Sequence, residues 1–99
     1  MEVKQVSEGQ RGSFYIEEDG KQLAFLTYVF AGETKFIIEH TEVDPSQGGK
    51  GLGRELLKAS VDFARKNNCK IIPHCSYSKS VFEKTKDFSD VLYEYSVSL

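Results

Sequence analysis

The chain has 99 residues, enough for one domain with one core, and its hydrophobic share of 39% and charged share of 28% are ordinary for a globular protein. A net charge of −2 offers no basic surface for nucleic acid, and the longest apolar stretch, residues 23–32, falls far short of the ~20 residues of a membrane span. Met1 to Gln5 lacks an apolar signal segment, and Cys69 and Cys75 form no disulfide framework, so no membrane and a reducing, cytoplasmic setting are expected.

A weak strand is expected over residues 3–7 and a better one over 13–17, where apolar and polar residues alternate. Asp19-Gly20 is a hairpin signal, and residues 23–30 carry apolar side chains on both faces, as a central strand does. Ala31-Gly32-Glu33 turns the chain into a strand over 35–43. Four of the eight glycines then crowd into Gln47-Gly48-Gly49-Lys50-Gly51-Leu52-Gly53. An amphipathic helix follows over residues 51–67: Leu52, Leu56, Ala59 and Phe63, flanked by Leu57, Ser60 and Ala64, recur at helical spacing. A short strand over 69–73, a second helix over 78–86 with Val81 and Phe82 inward, and a closing strand over 90–99 complete the chain. Antiparallel strands followed by strand–helix–strand–helix make one α+β domain over 1–99, with a mostly antiparallel sheet and two helices. Its 35–73 crossover should be right-handed.

A strand, a glycine-rich turn and a helix together aim bare backbone N–H groups at an anion. The first four N–H groups of a helix have no partner within it, and the dipole adds about half a positive charge there. Glycines keep side chains from blocking a phosphate; the alternative is a tight turn chosen for geometry. Gly53 is followed by Arg54-Glu55, so this is not the Gly-Lys-Ser/Thr loop of a nucleoside triphosphatase. Leu56 stands where a dinucleotide fingerprint needs its last glycine.

Val43, followed by Gly51-Leu52-Gly53 at the head of an amphipathic helix, resembles the acyl-CoA-binding segment of the GNAT superfamily of N-acetyltransferases. Its signature is Arg/Gln-x-x-Gly-x-Gly/Ala. Gly51 and Gly53 match the two small positions, while the first falls on Gly48, with Gln47 one residue early. His40-Thr41-Glu42-Val43, Gly49-Lys50-Gly51-Leu52-Gly53 and Pro73-x-Cys75 further resemble a small family of minimal, single-domain GNAT-like proteins, over residues 35–88. The resemblance implies the splayed sheet of the acyl-CoA N-acyltransferase fold, with the CoA arm between diverging strands. It implies a diphosphate on N–H groups from Gly48 to Gly53, pantetheine amides on main-chain groups around Val43, and added charge from Lys50 and Arg54. Acetyl-CoA is then the cofactor, and the partner is an amine acceptor, either a small molecule or a protein lysine. Two rival readings are a CoA-binding module or sensor without turnover, and an interaction domain whose glycine loop is only a turn.

Acetyl transfer to an amine needs a polarised thioester carbonyl, a deprotonated amine and a proton for the departing thiolate; no metal is required. His40, near the end of the strand before the loop, titrates near neutrality and could relay the amine's proton, or simply hydrogen-bond a strand end. Glu39 competes for that role, because alternation puts Glu39 and Thr41 on the side opposite His40 unless a bulge shifts the register. Cys75 precedes the second helix, where the helix field favours a thiolate; the alternative is a small packed residue. The resemblance implies for Cys75 an acetyl-cysteine intermediate or a thiol that positions the acceptor. Cys69 reads as packing. Larger GNAT enzymes protonate the thiolate with a tyrosine on the second helix; Phe82 and Glu83 fall near that place, and Tyr77 is the nearby phenol. His40, His74, Cys69 and Cys75 lack the ligand spacing of a zinc site, so no metal is expected.

Overall fold

Five strands lie side by side in chain order in a computed structural model that describes residues 2–93. Strands β1 (Lys4–Glu8), β2 (Arg11–Glu18), β3 (Lys21–Phe30) and β4 (Lys35–Val43) form an antiparallel meander. After β4 come a 3₁₀ turn, Pro45–Gln47, and helix α1, Leu52–Lys66; β5 (Lys70–Pro73) then pairs parallel to β4. Helix α2, Ser76–Lys84, and a 3₁₀ segment, Lys86–Val91, follow. Asp19 and Gly20 both take positive φ, 53° and 80°, the conformation that lets a two-residue turn follow the twist of β2 and β3.

One face of the sheet carries the core. Phe14, Ile16, Ala24, Leu26, Tyr28, Phe36 and Ile38 are buried there beneath Leu56, Leu57, Val61 and Ala64 of α1. Burying a side chain of this size contributes roughly 1.5–3 kcal/mol, which holds α1 to the sheet without help from its own propensity. The buried stripe of α1 runs through Leu52, Leu56, Leu57, Ser60, Val61 and Ala64; it matches the expected stripe except that Val61 joins it, while Ala59 and Phe63 are only partly buried. Phe63 instead lies at the stripe's edge, where its ring meets those of Phe14, Tyr28, Phe30 and Phe36 at centroid distances of 5.7–6.3 Å.

Most elements fall where the sequence put them, with ends moved by a few residues. Helix α2 starts earlier than expected, at Ser76, because Cys75 caps it. The closing strand is corrected over its first residues. Lys86–Val91 is a 3₁₀ segment that buries Phe88 and Val91, and Arg65 grips Asp90 through both carboxylate oxygens at 2.9 and 3.0 Å. Only after it does Leu92 form a bridge to Ile71; residues 94–99 of that expected strand lie outside the described residues. No helix among the described residues is long and apolar enough to cross a membrane.

Two irregularities of β4 prepare the site. Thr27 pairs with His40 and Tyr28 with Ile38, so Glu39 is an extra residue, a bulge. The β4–β5 ladder stops at Ile38 and Pro73, where the His74 N–H closes on the Ile38 carbonyl at 3.0 Å. Beyond this point β4 continues to Val43 without β5 beside it, because β5 ends at Pro73.

Candidate active site

The loop after β4 is built from its own backbone. Asp44 accepts a hydrogen bond from the Ser46 N–H at 3.0 Å and pairs with Lys21 at 3.2 Å; its carboxyl is held below the usual range, first by the Ser46 backbone and then by Lys21. The Gly48 N–H returns to the Pro45 carbonyl at 3.2 Å. Gly49 and Gly51 then take φ of 82° and 74°, a left-handed backbone that costs a residue with Cβ roughly 1–2 kcal/mol. Gly51 is the N-cap of α1 and has no side chain to cap it. The first helical bond runs from Glu55 N–H to the Gly51 carbonyl at 3.0 Å, so the N–H groups of Leu52, Gly53 and Arg54 precede the ladder and face outward.

A cleft of about 370 Å³ opens over these donors, lined by the glycine loop, Gln47 and Leu52 on one side and by Thr41, Val43 and Tyr77 on the other. It runs from the head of α1 to the part of β4 that β5 leaves uncovered. A larger cleft of about 430 Å³ lies along the start of β3 and the end of β4 and shares Val43, but none of the glycine loop or the head of α1 lines it. The Lys50 ammonium is drawn to the Gln47 side chain at 3.0 Å, which fixes a cation at the loop. Arg54 turns away: its guanidinium donates to Thr85 Oγ1 at 3.3 Å and lies over the Phe88 ring.

Cys75 is the N-cap of α2. Its sulfur accepts from the Ser78 N–H at 3.4 Å, lies 3.1 Å from Ser78 Oγ, and stands 3.5 Å from Thr41 Oγ1. Buried Ser78 in turn donates its hydroxyl to the Cys75 carbonyl at 2.9 Å. Burial alone pushes this thiol up, but its hydrogen bonds with the Ser78 and Thr41 hydroxyls and the one it accepts from the Ser78 backbone outweigh it and bring the thiol below its ordinary value. Cys69 is buried and has no such partners, and its thiol is pushed up by burial.

The bulge overturns the expectation that Glu39 and His40 lie on opposite sides, because it places both on the face of the sheet away from the helices. Glu39 pairs with Arg11 at 3.0 Å; His40 lies against the Phe25 ring and 3.8 Å from Glu42. Thr41 returns to the helix side, where it meets Cys75. The strand thus carries Glu39 and His40 on one face and the thiol's partner on the other. Ser78 and the contact of Thr41 with Cys75 were not read from the sequence; the three-residue spacing of Cys75 and Ser78, that of a reciprocal helix cap, is the signal that points to them.

The sequence resemblance implied a splayed sheet beside a glycine loop; here β5 leaves the end of β4 uncovered beside such a loop. A family profile described as GCN5-related N-acetyl-transferase matches residues 13–91. The chain belongs to this family. Protein NATD1 of Mus musculus is 32% identical to it over 69 residues, which is 69% of this chain and 63% of that protein, so the chain spans less than two thirds of this curated relative. A GCN5-like protein from Staphylococcus aureus, solved by NMR, is similar over 98% of this chain and 92% of its own, with a TM-score of 0.74 and 38% identity. Aminoglycoside N-acetyltransferase AAC(6')-Iy in complex with CoA shares the fold at a TM-score of 0.63 and 14% identity, over 99% of this chain and 95% of its own. The mixed sheet and its two long helices are therefore a GCN5-related N-acetyltransferase fold of small size.

Proposed function

We propose that this chain is an acetyl-CoA-dependent N-acetyltransferase that acts on a primary amine, on a small molecule or a protein lysine, in the cytoplasm. The observation that carries the reading is the single cleft joining unpaired first-turn N–H groups at one end to Thr41, the partner of the Cys75 thiol, at the other. The residues present fit the cofactor. The glycine loop leaves its donors uncovered, as a diphosphate requires, and the open edge of β4 near Val43 has main-chain groups for pantetheine amides.

When bound, acetyl-CoA supplies the acyl thioester. The N–H groups of Leu52, Gly53 and Arg54 bind its phosphates with the loop residues Gln47, Gly48, Gly49 and Lys50; each bond to a charged oxygen is worth roughly 1.5–3 kcal/mol. Thr41 and Cys75 bound the acyl end, where a low-lying thiol positions the reacting groups. His40 and Glu39 lie on the opposite face of β4, so either serves as the base for the acceptor ammonium only if the acceptor approaches β4 from that face.

Titration with acetyl-CoA, followed by measurement of free CoA released with amines and lysine peptides present, tests this reading. Binding with amine-dependent release supports the enzyme. Binding without release leaves a cofactor-binding module, and no binding leaves the loop as a turn.

A further inference from the structure

Tyr77 is one of the large apolar side chains that the fold leaves exposed, with 40% of its surface open, although its ring rests against the backbone of Gly53. A Cβ on Gly53 would come within 2.9 Å of both the ring Cζ and the hydroxyl oxygen of Tyr77. At Gly49 and Gly51 the same test meets nothing within 4 Å, so those two are glycine for their backbone angles. Gly53 is different. It lies in the first turn of α1, and the neighbour that an added Cβ would have to displace is the outer end of the Tyr77 ring.

The ring is poorly placed to be core filling, because it forms a wall of the cleft above the glycine loop. Its hydroxyl lies beside the first turn of α1, where N–H groups await an anion. Burial raises the phenol above its usual range, against a smaller lowering by Arg54, so the hydroxyl keeps its proton and remains a donor.

We propose that Tyr77 is a ligand-binding residue of this cleft: its hydroxyl donates a hydrogen bond to the diphosphate at the head of α1, and Gly53 is glycine in order to seat its ring. The proposal rests on the acetyl-CoA reading and refines it. It assigns the phenol to the anion end of the cleft, and it gives the second small position of the loop signature a purpose other than close approach of the ligand.

CoA is titrated calorimetrically into the wild-type chain, Tyr77→Phe, Tyr77→Ala, Gly53→Ala and the Gly53→Ala/Tyr77→Ala double variant, with folding of each checked by circular dichroism. Tyr77→Phe keeps the ring and should weaken CoA by about tenfold, as expected for one lost bond to a charged group. Gly53→Ala should weaken CoA by a similar factor in the Tyr77 chain and by less than about twofold once Tyr77 is alanine. Unchanged affinity in Tyr77→Phe overturns the proposal, and so does an equal loss from Gly53→Ala in both backgrounds. Failure of the wild-type chain itself to bind CoA removes the acetyl-CoA reading and this proposal together; failure seen only in the variants' pattern removes this proposal alone.

Discussion

Thr41 Oγ1 and Cys75 Sγ stand 3.5 Å apart across the opening where β4 and β5 part. The contact exists because the Glu39 bulge returns Thr41 to the helix side and because Cys75 caps α2 with its sulfur. It ties the strand that leads into the glycine loop to the helix that carries Tyr77.

Cys75 should titrate below an unfolded thiol. Its rate of reaction with iodoacetamide, followed against pH, should show a lower midpoint in the native chain than in urea, and Thr41→Val should move that midpoint up. A depressed folded value means that the thiolate's contribution to stability is present above the unfolded pKa and fades as pH falls through the folded one. Cys69, raised by burial, should react more slowly than Cys75. A native midpoint at or above the unfolded one would remove the thiolate from the site.

Gly51→Glu should weaken acetyl-CoA at least tenfold, about 1.4 kcal/mol, since it places a negative charge at the anion end of the cleft. Gly51→Ala is the control. A Cβ there meets no neighbour, so alanine pays only the left-handed backbone cost of roughly 1–2 kcal/mol in stability. Calorimetry and denaturant unfolding of both variants separate charge from strain; equal CoA affinity in wild type and a folded glutamate variant would sink the phosphate assignment.

Gly48→Arg restores the first position of the family signature. Gly48 has φ −60° and ψ 145°, open to any residue, and a Cβ there makes only an ordinary contact with the Pro45 carbonyl at 3.5 Å. Stability should be unchanged, and CoA binding equal or tighter, because a guanidinium suits phosphate geometry. Clear weakening in a titration would show that the loop holds its ligand along another path.

Gly12→Ala should destabilise the fold by roughly 1–3 kcal/mol, the usual cost of overpacking. Its Cβ would come within 2.3 Å of the Tyr28 ring and hydroxyl, and Tyr28 is buried with its hydroxyl accepting from Gln5 at 2.8 Å. Urea denaturation reads the loss directly; a variant as stable as wild type would mean that Tyr28 has another rotamer open to it.

The order of strands and helices, the Asp19-Gly20 hairpin, the glycine loop and the amphipathic character of α1 were legible in the sequence. All are local: alternation, turn chemistry and helical spacing act within a few residues, so the chain states them without reference to its partners. What only the tertiary structure decided depends on residues far apart. Period-two alternation cannot reveal an extra residue at Glu39, because a bulge is set by the register against Thr27 and Tyr28 on β3. That Val61 is buried in α1 while Phe63 lies at the stripe's edge among the rings of Phe14, Tyr28, Phe30 and Phe36 likewise depends on the sheet beneath the helix. Four glycines in seven residues look alike on the page. Folding separates them: Gly49 and Gly51 take positive φ, Gly48 takes an ordinary φ, and Gly53 packs against Tyr77, twenty-four positions along the chain.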